Sequence, residues 1–171
     1  MPPLPNVNVQ QLIGAVMAVL AALSTLIGVP LSPGSSVPAP AVAPAHGAAG
    51  VSQQALVDAT NRFRERNGLP ALEPMPELNA VAQDWSNRMA REDRLYHNPH
   101  FVNAYPAGWR YASENVLQNW SNANADVLVN QWANSPGHRA NMLDPTITHI
   151  GVGVADAASG KRYATQNFAR Y

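Results

Sequence analysis

All 22 charged side chains of this chain, 11 basic and 11 acidic, lie after residue 57, and the first is Asp58. A folded domain in water carries charge over most of its surface, so an uncharged third and a normally charged remainder do not form one globular unit. The sequence therefore splits into a leader and a domain. The leader contains an apolar run of 18 residues, Leu12 to Val29, broken only by Gly14, Ser24, Thr25 and Gly28. That is near the ~20 residues, at ~1.5 Å each, that cross a bilayer. It is longer than the ~7–15 residues of a signal-peptide core. Residues 1–29 are thus expected to be a signal peptide or an uncleaved signal anchor. The segment before the run has no Lys or Arg, which weakens the orientation cue for both. Small-residue stretches suited to cleavage follow at Ala41-Val42-Ala43 and Ala43-Pro44-Ala45.

Residues 30–50 read as a linker, since 17 of these 21 residues are Pro, Ala, Gly or Ser. Such a stretch buries too little apolar surface to offset its ordering entropy, and spaced prolines keep it extended. That spacer argues against reading the apolar run as a buried core helix. The expected location is secreted, or membrane-anchored and facing outward, with the membrane touched only through the N-terminal segment. Residues 51–171 are the folded domain. At 121 residues it is large enough for a core without staples.

Composition narrows the chemistry. The chain has no Cys, which excludes disulfides, thiolate catalysis and thiolate metal ligation. Its formal net charge of zero offers no basic surface for nucleic acid and no pull toward anionic lipid.

Within the domain, Ser52 is placed to cap a first helix whose Leu56, Ala59, Thr60 and Phe63 recur at helical spacing. Arg62, Arg64, Glu65 and Arg66 are expected on its solvated side, and Asn67-Gly68 with Pro70 ends it. A second helix opens at Pro76, with Leu78, Val81, Ala82, Trp85 and Met89 as its apolar stripe. A third covers about Ala125 to Ala133, and a short fourth runs from Ser135-Pro136 toward Leu143. Strands are expected over His149 to Ala155 and Arg162 to Ala169, joined through Ala157-Ala158-Ser159-Gly160, with a third around Arg110 to Gln118. Helices first and the best strands last indicate an α+β fold rather than a βαβ repeat. Gly151 and Gly153 are read as sites of close backbone packing, not phosphate binding.

The residues able to do chemistry are His97, Glu114, Ser135 and His138. His46 falls in the linker, and His100 and His149 are read as structural or surface residues. Taken singly, each has an ordinary role: a loop imidazole in water, an exposed strand carboxylate, a helix N-cap at Ser135. No zinc-protease, serine-hydrolase elbow, dinucleotide or phosphate-loop motif is present.

Four segments in order change that weighting. They are Leu95-Tyr96-His97-Asn98, Ser113-Glu114-Asn115-Val116, Trp132-x-x-Ser135-Pro136-Gly137-His138-Arg139-x-Asn141-x-Leu143, and Ile150-Gly151-Val152-Gly153 with Thr165-Gln166-Asn167-Phe168. Together they resemble the CAP superfamily (cysteine-rich secretory proteins, antigen 5 and pathogenesis-related proteins), most closely its cysteine-free bacterial branch. The resemblance covers residues 51–171. It implies a three-layer α-β-α sandwich around a mostly antiparallel sheet, and it implies secretion. It also implies a surface cleft containing His97, Glu114 and His138, supported from the core by Trp132 and Asn115. In some members the two histidines bind a divalent metal such as zinc, which by position would be His97 and His138. Two positions depart from the family pattern: Ser135 stands where many members have a second Glu, and Ser113 where a Gly is usual.

Three functions are compatible with these residues. One is a non-enzymatic secreted module whose cleft binds a small ligand, lipid, cell-wall component or partner. A second is a metal-assisted hydrolase, with Glu114 as base or as the group that fixes a histidine tautomer. The third is a metal-free hydrolase built from Ser135, His138 and Glu114.

Overall fold

The computed structural model describes residues 50–171. The expected leader, the linker up to residue 49 and His46 lie outside the described residues.

Helix α1 spans Gln53–Arg66, and Ser52 caps it: its hydroxyl accepts the Ala55 N–H at 3.1 Å. Leu56, Val57, Ala59 and Phe63 turn inward. The chain leaves the helix through Gly68, whose φ of +75° lies in the left-handed region. One expectation fails here. Arg64, assigned to the solvated side on its charge, is fully buried. Its position explains why: counting by fours from Leu56 and Thr60 places residue 64 on the core-facing stripe. The guanidinium survives there by donating to three carbonyls, those of Pro70 (3.0 Å), Met142 (2.7 Å) and Asp144 (3.0 Å).

The chain continues through a two-residue strand β1 (Glu73–Pro74) into α2 (Pro76–Glu92), with proline in the first turn. A single 3-10 turn (Phe101–Ala104) precedes strand β2 (Tyr111–Trp120). Then come α3 (Ala125–Ala133), α4 (Pro136–Met142), β3 (His149–Asp156) and β4 (Lys161–Arg170). The sheet order is β1-β3-β4-β2, with β1 parallel to β3 and the other pairs antiparallel. Helix α2 covers one face of the sheet, while α1, α3 and α4 lie on the other. This is the expected three-layer α-β-α sandwich. The larger core lies under α1 and α3, where Leu56, Phe63, Leu128 and Trp132 meet Ile150 and Phe168. The α2 face holds a smaller cluster of Trp85, Met89, Val116 and Tyr163.

Gly151 and Gly153 point at α2. A Cβ on Gly151 would overlap the backbone of Leu78 and Asn79, and one on Gly153 the backbone of Ala82 and Gln83. The helix therefore rests directly on strand β3. Side chains then satisfy the strand's open edge. Asn79 accepts the Val152 N–H at 2.8 Å, and Gln83 accepts from Val154 N–H at 3.2 Å and donates to its carbonyl at 2.8 Å. The opposite edge is treated the same way: Gln131 donates to the Gln118 carbonyl at 3.1 Å, and Asn141 to that of Glu114 at 3.4 Å. Both edges are thus engaged internally and poorly suited to adding a strand.

Helix α2 ends at Asp93, a non-glycine residue with φ of +48°. Its carboxylate accepts from Tyr163 hydroxyl (2.8 Å), Ser159 hydroxyl (3.0 Å) and Lys161 ammonium (3.1 Å), tying the helix end to the β3–β4 hairpin. The Tyr163 bond first, then those from Lys161 and Ser159, holds the Asp93 carboxyl below its usual range. A folded pKa below the unfolded one contributes stability that is present above the unfolded value and is lost as pH falls through the folded value. Asp93→Asn is expected to flatten the acid limb of the stability curve, below about pH 4. Urea titrations at pH 3 and pH 7 check this. The same exchange should bring the Tyr163 phenol down from the value of about 12 to which burial and Asp93 raise it.

Candidate functional site

Glu114 and Asn115 are neighbours on β2, so their side chains leave opposite faces of the sheet. Glu114 faces the α2 side and Asn115 the side of α1, α3 and α4. Each anchors one of the two histidines, so the Glu-Asn pair reaches both.

On the Glu114 side, the loop after α2 carries His97. Trp85 donates its indole N–H to the Tyr96 carbonyl at 2.8 Å, and the Tyr96 hydroxyl donates to Glu92 at 2.6 Å. The Trp85 and Tyr96 rings meet edge-to-face at 4.7 Å. These bonds fix the loop one residue before His97. The His97 Nδ1 then lies 2.9 Å from Glu114 Oε1, which also accepts the Asn98 N–H at 2.9 Å. Since Oε1 already acts as an acceptor, the imidazole donates through Nδ1 and its Nε2 is the outward nitrogen. The His97 side chain is 62% exposed, whereas that of Glu114 is 3% exposed.

Glu114 therefore departs from the expected exposed strand carboxylate. Burial pushes its carboxyl above the usual range, opposed by the hydrogen bonds from Asn98 and His97. The cause is topological. Although β2 is an edge strand, the loop carrying His97 and Asn98 folds over its α2 face.

On the other face, amides form a continuous buried relay. Gln166 donates to the Thr60 hydroxyl at 2.8 Å and accepts from Asn115 at 3.0 Å. Asn115 also donates to the His138 carbonyl at 3.0 Å and accepts from Asn141 at 2.8 Å. This relay joins α1, β4, β2 and α4, and it holds α4 in the position that presents His138. Trp132 is fully buried in the core with Met142, the last residue of α4. Burial first, and the nearby His97 second, lowers the His138 pKa from its ordinary value of 6.5. The imidazole is accordingly neutral at pH 7.

The other expected member behaves differently. Ser135 occupies the N-cap position of α4, yet its hydroxyl makes no capping bond. Nor does Ser135 bond to His138, and Glu114 is turned to His97 rather than His138. A Ser135–His138–Glu114 relay is not assembled. Among the described residues, no three His, Cys, Asp or Glu side chains converge to hold an ion. Glu114 is committed to His97 Nδ1, so His97 and His138 remain as nitrogen donors. His149 stays apart, at 2.7 Å from the Thr148 hydroxyl and edge-on to Tyr171.

Residue-by-residue reading passed over Trp85, Tyr96, Thr60 and Gln166. Trp85 and Thr60 looked like core positions. Tyr96 and Gln166 stand in the segments that carry the family resemblance, but nothing in the sequence marks Tyr96 as the residue that fixes the His97 loop or Gln166 as the cross-strand partner of Asn115.

Comparison with known proteins bears on the family and the fold. The sequence model of CAP, the cysteine-rich secretory protein family, matches residues 57–168. The chain is 29% identical over 114 residues to the uncharacterised protein YkwD of Bacillus subtilis, covering 63% of this chain and 44% of YkwD. It is 30% identical over 124 residues to the uncharacterised membrane protein YlbC of the same organism, covering 68% of this chain and 34% of YlbC. The chain thus spans less than half the length of these relatives. Among solved structures it is similar to an extracellular protein containing a SCP domain from Bacillus anthracis, with 30% identity and a TM-score of 0.61, covering 70% of this chain and 40% of the other. Fold, motif order and the family match together lead to one conclusion: this cysteine-free chain belongs to the cysteine-rich secretory protein family.

Proposed function

We propose that the domain is an extracellular or cell-surface binding module. In this reading His97, Glu114 and His138 line a cleft that takes up a small ligand, a lipid or a cell-wall component without turning it over. The observation that carries this reading is the commitment of Glu114. A general base must reach the proton it removes. Glu114 is buried, and its Oε1 already accepts from His97 and Asn98. What faces outward is an imidazole held in one orientation, with a neutral second imidazole beside it. Such a pair donates and accepts hydrogen bonds and suits recognition of a polar headgroup. The uncharged leader and Pro/Ala spacer fit export and display away from the bilayer.

A second reading has one specific support. An imidazole whose Nδ1 is anchored on a carboxylate is the usual arrangement behind a metal-bound Nε2. His97 and His138 would hold a divalent ion such as zinc. When bound, such an ion supplies a Lewis acid and a water with a pKa of about 7. Glu114 would then orient His97 and hold its tautomer.

One experiment separates these readings. Wild type, His97→Ala and His138→Ala are compared by thermal shift against lipids, wall fragments and zinc, and by turnover on ester and peptide panels. A ligand at ~100 times its dissociation constant adds ~2.7 kcal/mol. Stabilisation by an organic ligand that both variants lose, with no turnover, is the expected result. Zinc binding lost in both variants favours the second reading. Turnover abolished by His138→Ala overturns the binding-module reading.

A further inference from the structure

Behind His97, three side chains on the α2 face leave polar atoms without a protein partner. They are the Tyr105 hydroxyl, Glu114 Oε2, and both the amide nitrogen and oxygen of Asn167. All four atoms are buried. Buried polar groups are nearly always paired, with protein or with ordered water. These four are also neighbours. Glu114 and Asn167 are directly opposed in the β2–β4 register and leave the same face. Cross-strand partners there have Cβ atoms ~4.5–5.5 Å apart. Tyr105 packs on Ala169, two residues along β4 from Asn167, and its phenol senses the Glu114 charge. Yet none of these atoms hydrogen-bonds to another.

We infer that Glu114, Tyr105 and Asn167 enclose an internal water that holds the Glu114 carboxylate in the orientation His97 requires. The donor and acceptor count matches one molecule. The water accepts from both the Tyr105 hydroxyl and the Asn167 amide N–H and donates to Glu114 Oε2 and Asn167 Oδ1. This meets the two to four partners that an internal water needs. It gives Oε2 a donor, while Oε1 keeps its bonds to His97 and Asn98. Tyr105 and Asn167 are accordingly positioning residues. They hydrogen-bond to neither imidazole and act on His97 through the water and Glu114.

Nuclear magnetic resonance on the full chain tests this. The Asn167 side-chain amide protons should give direct cross-peaks to a long-lived water. Tyr105→Phe removes only the hydroxyl. It should lower the ratio of Nδ1–H to Nε2–H tautomer at His97 by about twofold or more, the effect of weakening one water-mediated bond. Far-ultraviolet circular dichroism should stay unchanged. An Asn167 amide that contacts Glu114 directly, without a water cross-peak, overturns the inference. So does a His97 tautomer ratio that is the same with and without the Tyr105 hydroxyl. The wild-type cross-peak keeps the test decisive even if the variant folds poorly.

Discussion

Gly153→Val is expected to abolish the folded domain, and Gly153→Ala to remove about 4 kcal/mol or more of its stability. Adding methylenes to a packed core ordinarily costs about 1–3 kcal/mol, because neighbouring side chains shift to make room. No side chain can do so here. A Cβ at Gly153 meets the backbone of Ala82 and Gln83 in the middle of α2, and relief requires the helix to lift from the sheet. Lifting α2 breaks the Gln83 and Asn79 bonds to Val154 and Val152, which opens the edge of β3. It also separates Trp85 and Met89 from Tyr163 and shifts the Trp85–Tyr96 bond that places His97. A domain of this size has only about 5–15 kcal/mol of stability in total. Urea unfolding of the Ala and Val variants measures the effect, with Gly137→Ala as the control. Gly137 sits in α4 with ordinary φ and open space around its Cβ direction. Its substitution should be neutral or stabilising, by about 0.5–1 kcal/mol. A Gly153→Ala variant within about 1 kcal/mol of wild type, inside the range of ordinary repacking, would refute the argument.

The contrast between these glycines shows what local sequence carries. Alternation of Gly151 and Gly153 with Ile150, Val152 and Val154 already signals a strand approached closely on one face. The α3 limits, Ala125–Ala133, follow from apolar spacing, because that helix has one buried stripe and a distinct cap at Asn124. Strand β1 is illegible for the opposite reason. Two exposed residues have no periodicity, and only pairing with His149 and Ile150 makes them a strand. The candidate site divides in the same way. His97, Glu114 and His138 are visible as motif members, but the burial of Glu114 depends on a loop folding over β2 from another part of the chain. The amide relay from Thr60 to Asn141 is equally non-local, since its members are unremarkable one at a time. Charge misleads most at Arg64, where a residue type that nearly always faces water occupies a core-facing helical position.

Arg64→Ala is accordingly expected to cost about 4 kcal/mol or more, rivalling the glycine substitutions. Among the described residues the guanidinium is the donor to the carbonyls of Pro70, Met142 and Asp144, at 3.0, 2.7 and 3.0 Å. The Met142 carbonyl is buried, and left unpaired it costs about 1–3 kcal/mol; those of Pro70 and Asp144 are part-buried and lose less, because water can reach them. Loss of the fully buried side chain adds a cavity between α1 and the end of α4. The favourable term in the exchange is relief of desolvation, which already lowers the Arg64 pKa and leaves Nη2 without a partner. Arg64→Met isolates that balance. It keeps the apolar stem and removes the charge, so it restores packing but not the three hydrogen bonds. It should fall between wild type and Arg64→Ala, at about 2–3 kcal/mol of loss, because the buried Met142 carbonyl and two part-buried ones lose their donor. Urea unfolding of the pair measures both. Equal losses would show that the hydrogen bonds dominate, and an Arg64→Met variant as stable as wild type would show that the buried cation contributes nothing net. Met142 ends α4 four residues after His138, so the loss should also reach the site. Histidine resonances of Arg64→Met should therefore show His138 perturbed more than His97, whose loop hangs from α2 and Glu114 instead.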